Sequence, residues 1–200
     1  MVGLRIAERR YAVALRDPSP KLTYEDYVLF PMDGKRHEII EGEHYVTAAP
    51  FIRHQRLSFR LASRFGRFLE EHPLGEVLYA PVDCLLSPHD VYQPDLVFVS
   101  RDRSGIVKEE NIQGAPDLVV EIVSEGTRRR DEVLKLRNYD RYGVREYWIV
   151  SPSRNTVAVH RRTEEGLVRL AELRADAGDA LTTPLLPGFT IALSELFRSN

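Results

Sequence analysis

Residues 117–124 read DLVVEIVS. The inner positions of this stretch are apolar except for one carboxylate, Glu121, and such a run is typical of a strand that is buried on both faces of a sheet. A carboxylate inside that strand needs a partner, because its removal from water is otherwise costly. The partner could be an arginine or a bound metal ion.

The preceding predicted strand carries a second acid. Residues 93–99 read QPDLVFV, with Asp95 at the start of the apolar run. An aspartate after proline is also common turn chemistry, so this pattern leaves both interpretations open. On neighbouring strands, Asp95 and Glu121 could hold a hard divalent cation together with a backbone carbonyl near Ile122. Such an ion stabilises charge on phosphoryl oxygens and generates hydroxide from water.

A lysine on the following helix is the third candidate. A helix is predicted for residues 128–142, ending at Gly143. On a wheel of about 100° per residue, Lys135 falls between Tyr139 and Tyr142. A partly buried lysine there could reach a phosphate or polarise an attacking water. The alternative is an Asp131–Lys135 pair on a solvated helix face.

The long helix predicted for residues 53–71 contributes an inward-facing histidine and a row of arginines. His54 points towards the core at the start of this helix, either as a hydrogen-bonded core residue or as part of a metal site. An arginine row suits a phosphate backbone, but also a solvated face or salt links across a dimer interface. The row consists of Arg53, Arg56, Arg60, Arg64 and Arg67.

A second group of arginines opens the next helix. Arg128, Arg129 and Arg130 lie in its first turn, where positive charge opposes the helix dipole unless an anion or an acidic partner is near. This position favours anion binding beside the two acids. Glu38, on a predicted hairpin, alternates with Ile40 and could turn towards the same cavity.

Composition limits the class of protein. The chain has 200 residues and a formal net charge of -2, so a nucleic-acid partner would need a local basic patch. A single cysteine, Cys84, permits neither an intrachain disulfide nor a cysteine-rich zinc site. No run is long enough to cross a bilayer, and no signal peptide is evident, which predicts a cytoplasmic protein. Residues 1–20 are interpreted as a leader and residues 21–200 as one domain.

The order of predicted elements indicates an α/β fold of the mixed α+β kind. A short helix near residues 23–30 precedes a hairpin at 37–47 and the long helix. Strands follow near 77–86, 96–99 and 118–123, with a loop over 100–116, then a helix and a strand at 146–150. Hairpins occupy 156–173, and a final strand covers 189–192. This order predicts one mixed sheet with helices against it.

Several motifs together resemble the restriction-endonuclease-like superfamily, named for its PD-(D/E)XK pattern, and within it the bacterial Uma family of predicted endonucleases. The resemblance spans Leu22 to Phe197. It implies a central mixed β-sheet flanked by helices, with N- and C-terminal β-hairpins. The motifs are HEIIEG at 37–42, HQ at 54–55, APVD at 80–83, QPDLVFV at 93–99, APDLVVEI at 115–122, TRRRD at 127–131, Lys135 with Tyr139, and GVREYWIV at 143–150.

The resemblance implies roles for individual residues. Asp95 takes the place of the first metal-binding acid and Glu121 that of the second. The superfamily's lysine two residues later is replaced here by Val123, and Lys135 resembles a migrated substitute. His54 matches a histidine that some branches place near the metal, and the Lys135–Tyr139 spacing is that of a glutamine–tyrosine pair in recombination-type nucleases.

The predicted function is therefore a DNA endonuclease that depends on Mg²⁺ or Mn²⁺ and forms a homodimer. Asp95, Glu121 and Lys135 would be catalytic, with Glu38, His54, Gln93 and Tyr139 in support. One alternative is a degenerate member that binds nucleic acid or protein without chemistry, since Val123 replaces the motif lysine. The other is a hydrolase that uses the two carboxylates as an acid/base pair without metal.

Overall fold

The structure is a computed structural model that describes residues 20–199. The predicted leader therefore lies outside the described residues, apart from Pro20. No helix in the described range is both long and apolar enough to span a membrane.

The described chain alternates strands with a few helices. The helices are α1 (Tyr24–Tyr27), α2 (Ile52–Glu71), a π-helical turn (Arg130–Lys135) that continues into α3 (Leu136–Arg141), α4 (Leu193–Leu196), and 3₁₀ turns at Arg101–Ile106 and Ala175–Ala177. The strands are β1 (Arg36–Ile40), β2 (Glu43–Thr47), β3 (Gly75–Tyr79), β4 (Cys84–Ser87), β5 (Asp90–Tyr92), β6 (Leu96–Ser100), β7 (Ile112–Gln113), β8 (Leu118–Ile122), β9 (Glu146–Ser151), β10 (Thr156–Thr163), β11 (Gly166–Arg174), β12 (Ala180–Thr182) and β13 (Thr190–Ala192).

A mixed six-stranded sheet forms the centre, in the order β11-β10-β9-β8-β6-β3. The pair β8–β9 is parallel, and the connection between them carries the π-helical turn and α3. The other neighbours are antiparallel. The predicted mixed α/β architecture is confirmed, and the C-terminal hairpin β10–β11 extends this sheet.

The prediction of one sheet was wrong, because the described residues form three sheets, and the smallest is the pair β12–β13. The region predicted as a strand near 77–86 splits, so that β3 joins the central sheet while β4 belongs to a second sheet in the order β2-β1-β5-β4-β7. The chain turns between them at the cis Ala80–Pro81 bond. The N-terminal hairpin β1–β2 lies in this second sheet, and β7 with a 3₁₀ turn occupies the predicted loop 100–116.

Alternation along β8 assigns its side chains to two different cores. Leu118, Val120 and Ile122 pack against α2, in a cluster that includes Leu61 and Phe65. Val119 and Val123 belong to the opposite cluster, which is covered by α3 and the second sheet. Because side chains alternate along a strand, Glu121 faces this second side together with Val119 and Val123.

Candidate active site

Four buried carboxylates gather on the side of the central sheet that α3 and the second sheet cover. We call them the acid cluster; each is at most 3% exposed, and its members are Glu38, Asp95, Glu121 and Asp131. They arrive from four elements: β1, the start of β6, β8 and the π-helical turn. The cations in contact with them are Arg36, Arg130 and Lys135.

Lys135 links three members of the acid cluster. Its Nζ lies 2.6 Å from Glu38 Oε1, 2.8 Å from Glu121 Oε1 and 3.7 Å from Asp131 Oδ1. The lysine is 1% exposed, so the interpretation as a solvated surface pair with Asp131 was wrong. A turn of π-helix carries both residues, a conformation that is found frequently at functional sites.

Aromatic rings surround the lysine, although not quite as the helical wheel predicted. The Tyr139 hydroxyl donates to Glu121 Oε1 at 3.0 Å. The second ring near Lys135 Nζ is that of Tyr92, at 5.8 Å from its centroid. Tyr142 instead donates to Asp90.

Asp95 uses one oxygen for hydrogen bonds and the other for an ion pair. Its Oδ2 lies 3.0 Å from His54 Nε2 and accepts from the Ile122 backbone N–H at 2.7 Å. Its Oδ1 lies 2.8 Å from Arg36 Nη1. Burial alone would raise the pKa of Asp95, but the His54 contact and the Arg36 charge bring this pKa down to about 2. The carboxylate is therefore ionised, and it does not merely close a turn.

Arg36 was not identified from the sequence. It occupies β1 two residues before Glu38, so alternation directs both side chains to the same face. Glu38 was expected to turn towards the cavity, and the same argument would have brought Arg36 with it. The charges of Asp95 and Glu121 raise the pKa of this guanidinium despite its burial.

Charge balance differs between the two glutamates that contact Lys135. Burial opposes ionisation of Glu38, but Lys135, Arg130 and the Gln93 backbone N–H lower its pKa overall. Burial raises the pKa of Glu121 to about 8, because one lysine does not offset burial and the neighbouring acids. Burial also raises the pKa of Asp131, so Glu121 and Asp131 share the deficit of four carboxylates that face three cations.

Several carboxylate oxygens in the acid cluster lack a hydrogen-bond donor. Among the described residues, no aligned donor reaches Glu38 Oε2, Asp95 Oδ1 or Asp131 Oδ1, although all three oxygens are buried. Carboxylate oxygens without hydrogen-bond partners, in a site that is not fully neutralised, are the ligands that Mg²⁺ or Mn²⁺ prefers. In residues 20–199 no three His, Cys, Asp or Glu side chains are yet arranged to hold an ion. The chemistry of these oxygens thus suits a hard cation, although the side chains would have to rearrange locally to coordinate one.

Gln93 supports this arrangement mainly through its backbone. Its N–H donates to Glu38 Oε1 at 3.0 Å. Its side-chain amide donates to Tyr27 Oη at 2.9 Å and to Asp83 Oδ1 at 2.8 Å. The Ile122 backbone N–H donates to Asp95. That the Ile122 carbonyl binds a metal ion stays a prediction.

The three arginines at the start of the π-helical turn differ in their contacts. Arg128 pairs with two glutamates, one before it and one a turn later. Arg130 donates to Thr47 Oγ1 and lies 3.6 Å from Glu38 Oε2. Arg129 is exposed and has no hydrogen-bond or ion-pair partner within residues 20–199. Acidic side chains of the protein itself therefore form ion pairs with Arg128 and Arg130.

The arginine row on α2 also has partners within the chain. Arg53 donates to Asn155 at 2.7 Å. Arg60 donates to the Leu196 and Arg198 carbonyls, and Arg64 pairs with Glu195. The contacts of Arg60 and Arg64 dock the C-terminal segment, a structural use that the sequence pattern did not indicate.

Comparisons with known proteins agree with this architecture. A crystal structure of "a putative nuclease belonging to DUF820" from Anabaena variabilis ATCC 29413 is similar with a TM-score of 0.73 and 18% identity, covering 88% of this chain and 97% of that one. At that identity the likeness shows the fold. Curated proteins give no match. The profile of the Uma2 family, described as "Putative restriction endonuclease", matches residues 24–194. The chain belongs to the Uma2 family of restriction-endonuclease-like proteins.

Proposed function

We propose that this protein hydrolyses phosphodiester bonds in DNA and that it requires Mg²⁺ or Mn²⁺. One observation carries the proposal: four buried carboxylates converge on three cations, and three of their oxygens have no hydrogen-bond donor among the described residues. Stability does not account for such a cluster, since buried ion pairs are weak stabilisers. Membership of the Uma2 family supports the nuclease class.

Asp95 and Glu121 would hold the metal, with the Ile122 carbonyl as a further oxygen donor. When bound, the ion supplies a Lewis acid for phosphoryl oxygens and lowers the pKa of a water. His54 holds Oδ2 of Asp95, and the Tyr139 hydroxyl holds Oε1 of Glu121, so the orientation of both carboxylates is fixed before substrate arrives.

Lys135 acts as a fixed positive charge. Glu121, Glu38 and Asp131 raise its pKa above the ordinary value even though burial opposes this, so the ammonium retains its proton at neutral pH. A general base would need a lowered pKa. Lys135 therefore stabilises negative charge as it develops on the phosphate, as expected of a lysine that replaces the one missing at position 123.

DNA is the proposed substrate because basic side chains lie beside the acid cluster. Arg129, which has no partner in the described part of the chain, would bind a backbone phosphate, and Arg128 and Arg130 would add positive potential next to it. The overall charge of -2 requires such a local patch. A homodimer and a cytoplasmic location stay predictions from the sequence. Size-exclusion chromatography would test the homodimer.

Cleavage assays test the proposal directly. The purified protein should cleave duplex DNA with Mg²⁺ or Mn²⁺ and lose this activity in chelator. Asp95→Asn should reduce the rate about a hundredfold to a thousandfold, the range for one group that stabilises a charged transition state. An RNA substrate in parallel tests the preference for DNA. Cleavage by Asp95→Asn in chelator at the wild-type rate would refute the proposal.

A second candidate is a binding module of the same fold that performs no chemistry. The Arg36–Asp95 ion pair favours it, because a guanidinium already neutralises the acid that should bind metal. Calorimetry separates the two functions. A binding module should show no Mn²⁺ uptake that depends on Asp95, whereas the nuclease should lose its Mn²⁺ binding in Asp95→Asn.

A further inference from the structure

We infer that Arg36 competes with the divalent metal for Asp95, so that metal loading requires this guanidinium to leave and a substrate phosphate assists its departure. The inference rests on the proposed function and adds a control over the same site. It assigns to Arg36 a positioning role that the family pattern does not supply.

The competition concerns a single oxygen atom. Asp95 Oδ2 is occupied by His54 and by the Ile122 N–H. Only Oδ1 is left for a metal, and Arg36 Nη1 lies 2.8 Å from it. A cation so close to Oδ1 repels a divalent ion, and the two cannot share the position.

The Arg36–Asp95 contact is close but poorly directed. Although Nη1 lies 2.8 Å away, the described residues provide Oδ1 with no hydrogen bond of acceptable angle. An arginine that binds carboxylate through two parallel N–H···O bonds gains both energy and fixed geometry. Arg36 makes no such pair of bonds here, so its contact is chiefly electrostatic, and another cation can replace it.

Arg36 also has a route away from the acid cluster. It is the first residue of β1, and its side chain is 20% exposed, whereas that of Lys135 is 1% exposed. Lys135 is held by three carboxylates, but Arg36 has a direct contact with one. Of the two cations, Arg36 is therefore the one that can move towards solvent.

A phosphate group is the natural destination for the displaced guanidinium. Its planar set of donors matches phosphate oxygens, which an ammonium group binds only as a point charge. If phosphate draws Arg36 from Asp95, phosphate and metal must each raise the affinity of the other by the same factor. The free protein would then hold metal weakly, and the substrate complex would hold it tightly.

Calorimetric titration with Mn²⁺ tests the competition in the intact chain. Arg36→Gln should bind Mn²⁺ roughly tenfold more tightly than wild type or better, because it lacks the repelling charge. Arg53→Gln is the matched control, since Arg53 adjoins His54 but donates to Asn155 and not to a carboxylate. That variant should stay within about twofold of wild type.

The outcomes separate this inference from the proposed function. Equal Mn²⁺ affinity in wild type and Arg36→Gln overturns the competition but leaves a metal-dependent nuclease. Absence of Mn²⁺ binding in both proteins overturns the competition and the metal dependence together. An equal gain in Arg53→Gln also overturns the inference, because the effect would then be general electrostatics.

A measurement on the wild type covers the case in which Arg36→Gln does not fold. The side-chain Nε–H resonance of Arg36 can be assigned by its loss in Arg36→Lys, which retains the charge. Addition of Mg²⁺ should shift this resonance, because the guanidinium leaves Asp95 for solvent. A resonance that stays unchanged while Mg²⁺ binds overturns the inference.

Discussion

Two buried carboxylates lie at opposite ends of the same strand, and they are neutralised very differently. Asp117 immediately precedes β8 and Glu121 lies near its end, four positions later, so alternation places both on one face. Asp117 is 0% exposed and Glu121 is 3% exposed. Neither side chain has much access to solvent, but Glu121 lies deeper in the protein than Asp117, so depth as well as partners distinguishes them.

Asp117 has partners for both of its oxygens. Oδ2 accepts from the Ser100 N–H at 2.8 Å, and Oδ1 lies 3.0 Å from Arg103 Nη1 and 3.2 Å from Arg145 Nη1. Burial acts against ionisation, but the Ser100 N–H and Arg103 lower the pKa of Asp117 overall. Asp117 is therefore a buried acid with a structural role.

Glu121 has fewer compensating contacts. Its Oε1 accepts from Lys135 and Tyr139, yet Lys135 is shared with two other acids. Burial and neighbouring carboxylates raise its pKa to about 8. The contrast teaches that burial of an acid is not in itself a functional signal, whereas incomplete neutralisation is one.

The largest expected effect is on catalysis by Glu121→Gln. Glutamine can still accept from Lys135 and Tyr139, but it lacks the charge that would hold a metal. DNA cleavage should fall about a hundredfold to a thousandfold. Asp117→Asn, at the other end of the strand, should cleave at the wild-type rate per folded molecule. Equal losses in both variants would abolish the distinction between the two acids.

A smaller effect is expected on stability in the presence of metal. Mn²⁺ at a hundred times its Kd should stabilise wild type by about 2.7 kcal/mol, because it binds only the folded state. Asp117→Asn should show the same increment, and Glu121→Gln should show almost none. Thermal unfolding with and without Mn²⁺ measures this difference. An increment retained in Glu121→Gln would remove Glu121 from the metal site.

The smallest effect concerns stability without metal. Asp117→Asn should lose about 1–3 kcal/mol, because its arginines lose a charged acceptor. The sign with pH follows from the lowered pKa. The contribution of Asp117 is present above its ordinary value of 3.8 and is lost as pH falls through its lower folded value. In denaturant unfolding, the difference in free energy of unfolding between wild type and variant should therefore shrink at acidic pH. A difference that grows there would contradict the prediction.

The sequence predicted much of the acid cluster, but not all of the contacts between its side chains. The apolar runs placed Asp95 and Glu121 on adjacent strands, and helical spacing placed Lys135 with Tyr139. The predicted partners of these groups were less accurate. Tyr92 replaces Tyr142 beside the lysine, and it comes from β5 in the second sheet, which the local pattern of the helix does not predict.

The second sheet was harder to predict than the central one. Its strands β4 and β5 are short, and the pairing of β5 with β1 joins segments that are far apart in the chain. A pattern of period two shows which side chains share a face, but not which strand lies opposite. The proximity of Arg36 to Asp95 depends on that pairing and could not be read from local sequence.

The sequence alone determined the buried strand around Glu121, the second acid at Asp95 and the lysine on the next helix. Local periodicity is enough for this, because the apolar content of a strand reflects its burial. The tertiary structure decided how charge is shared among these groups. Coulomb energies depend on distances between side chains from separate elements, so only the assembled fold pairs Arg36 with Asp95 and leaves Glu121 under-neutralised.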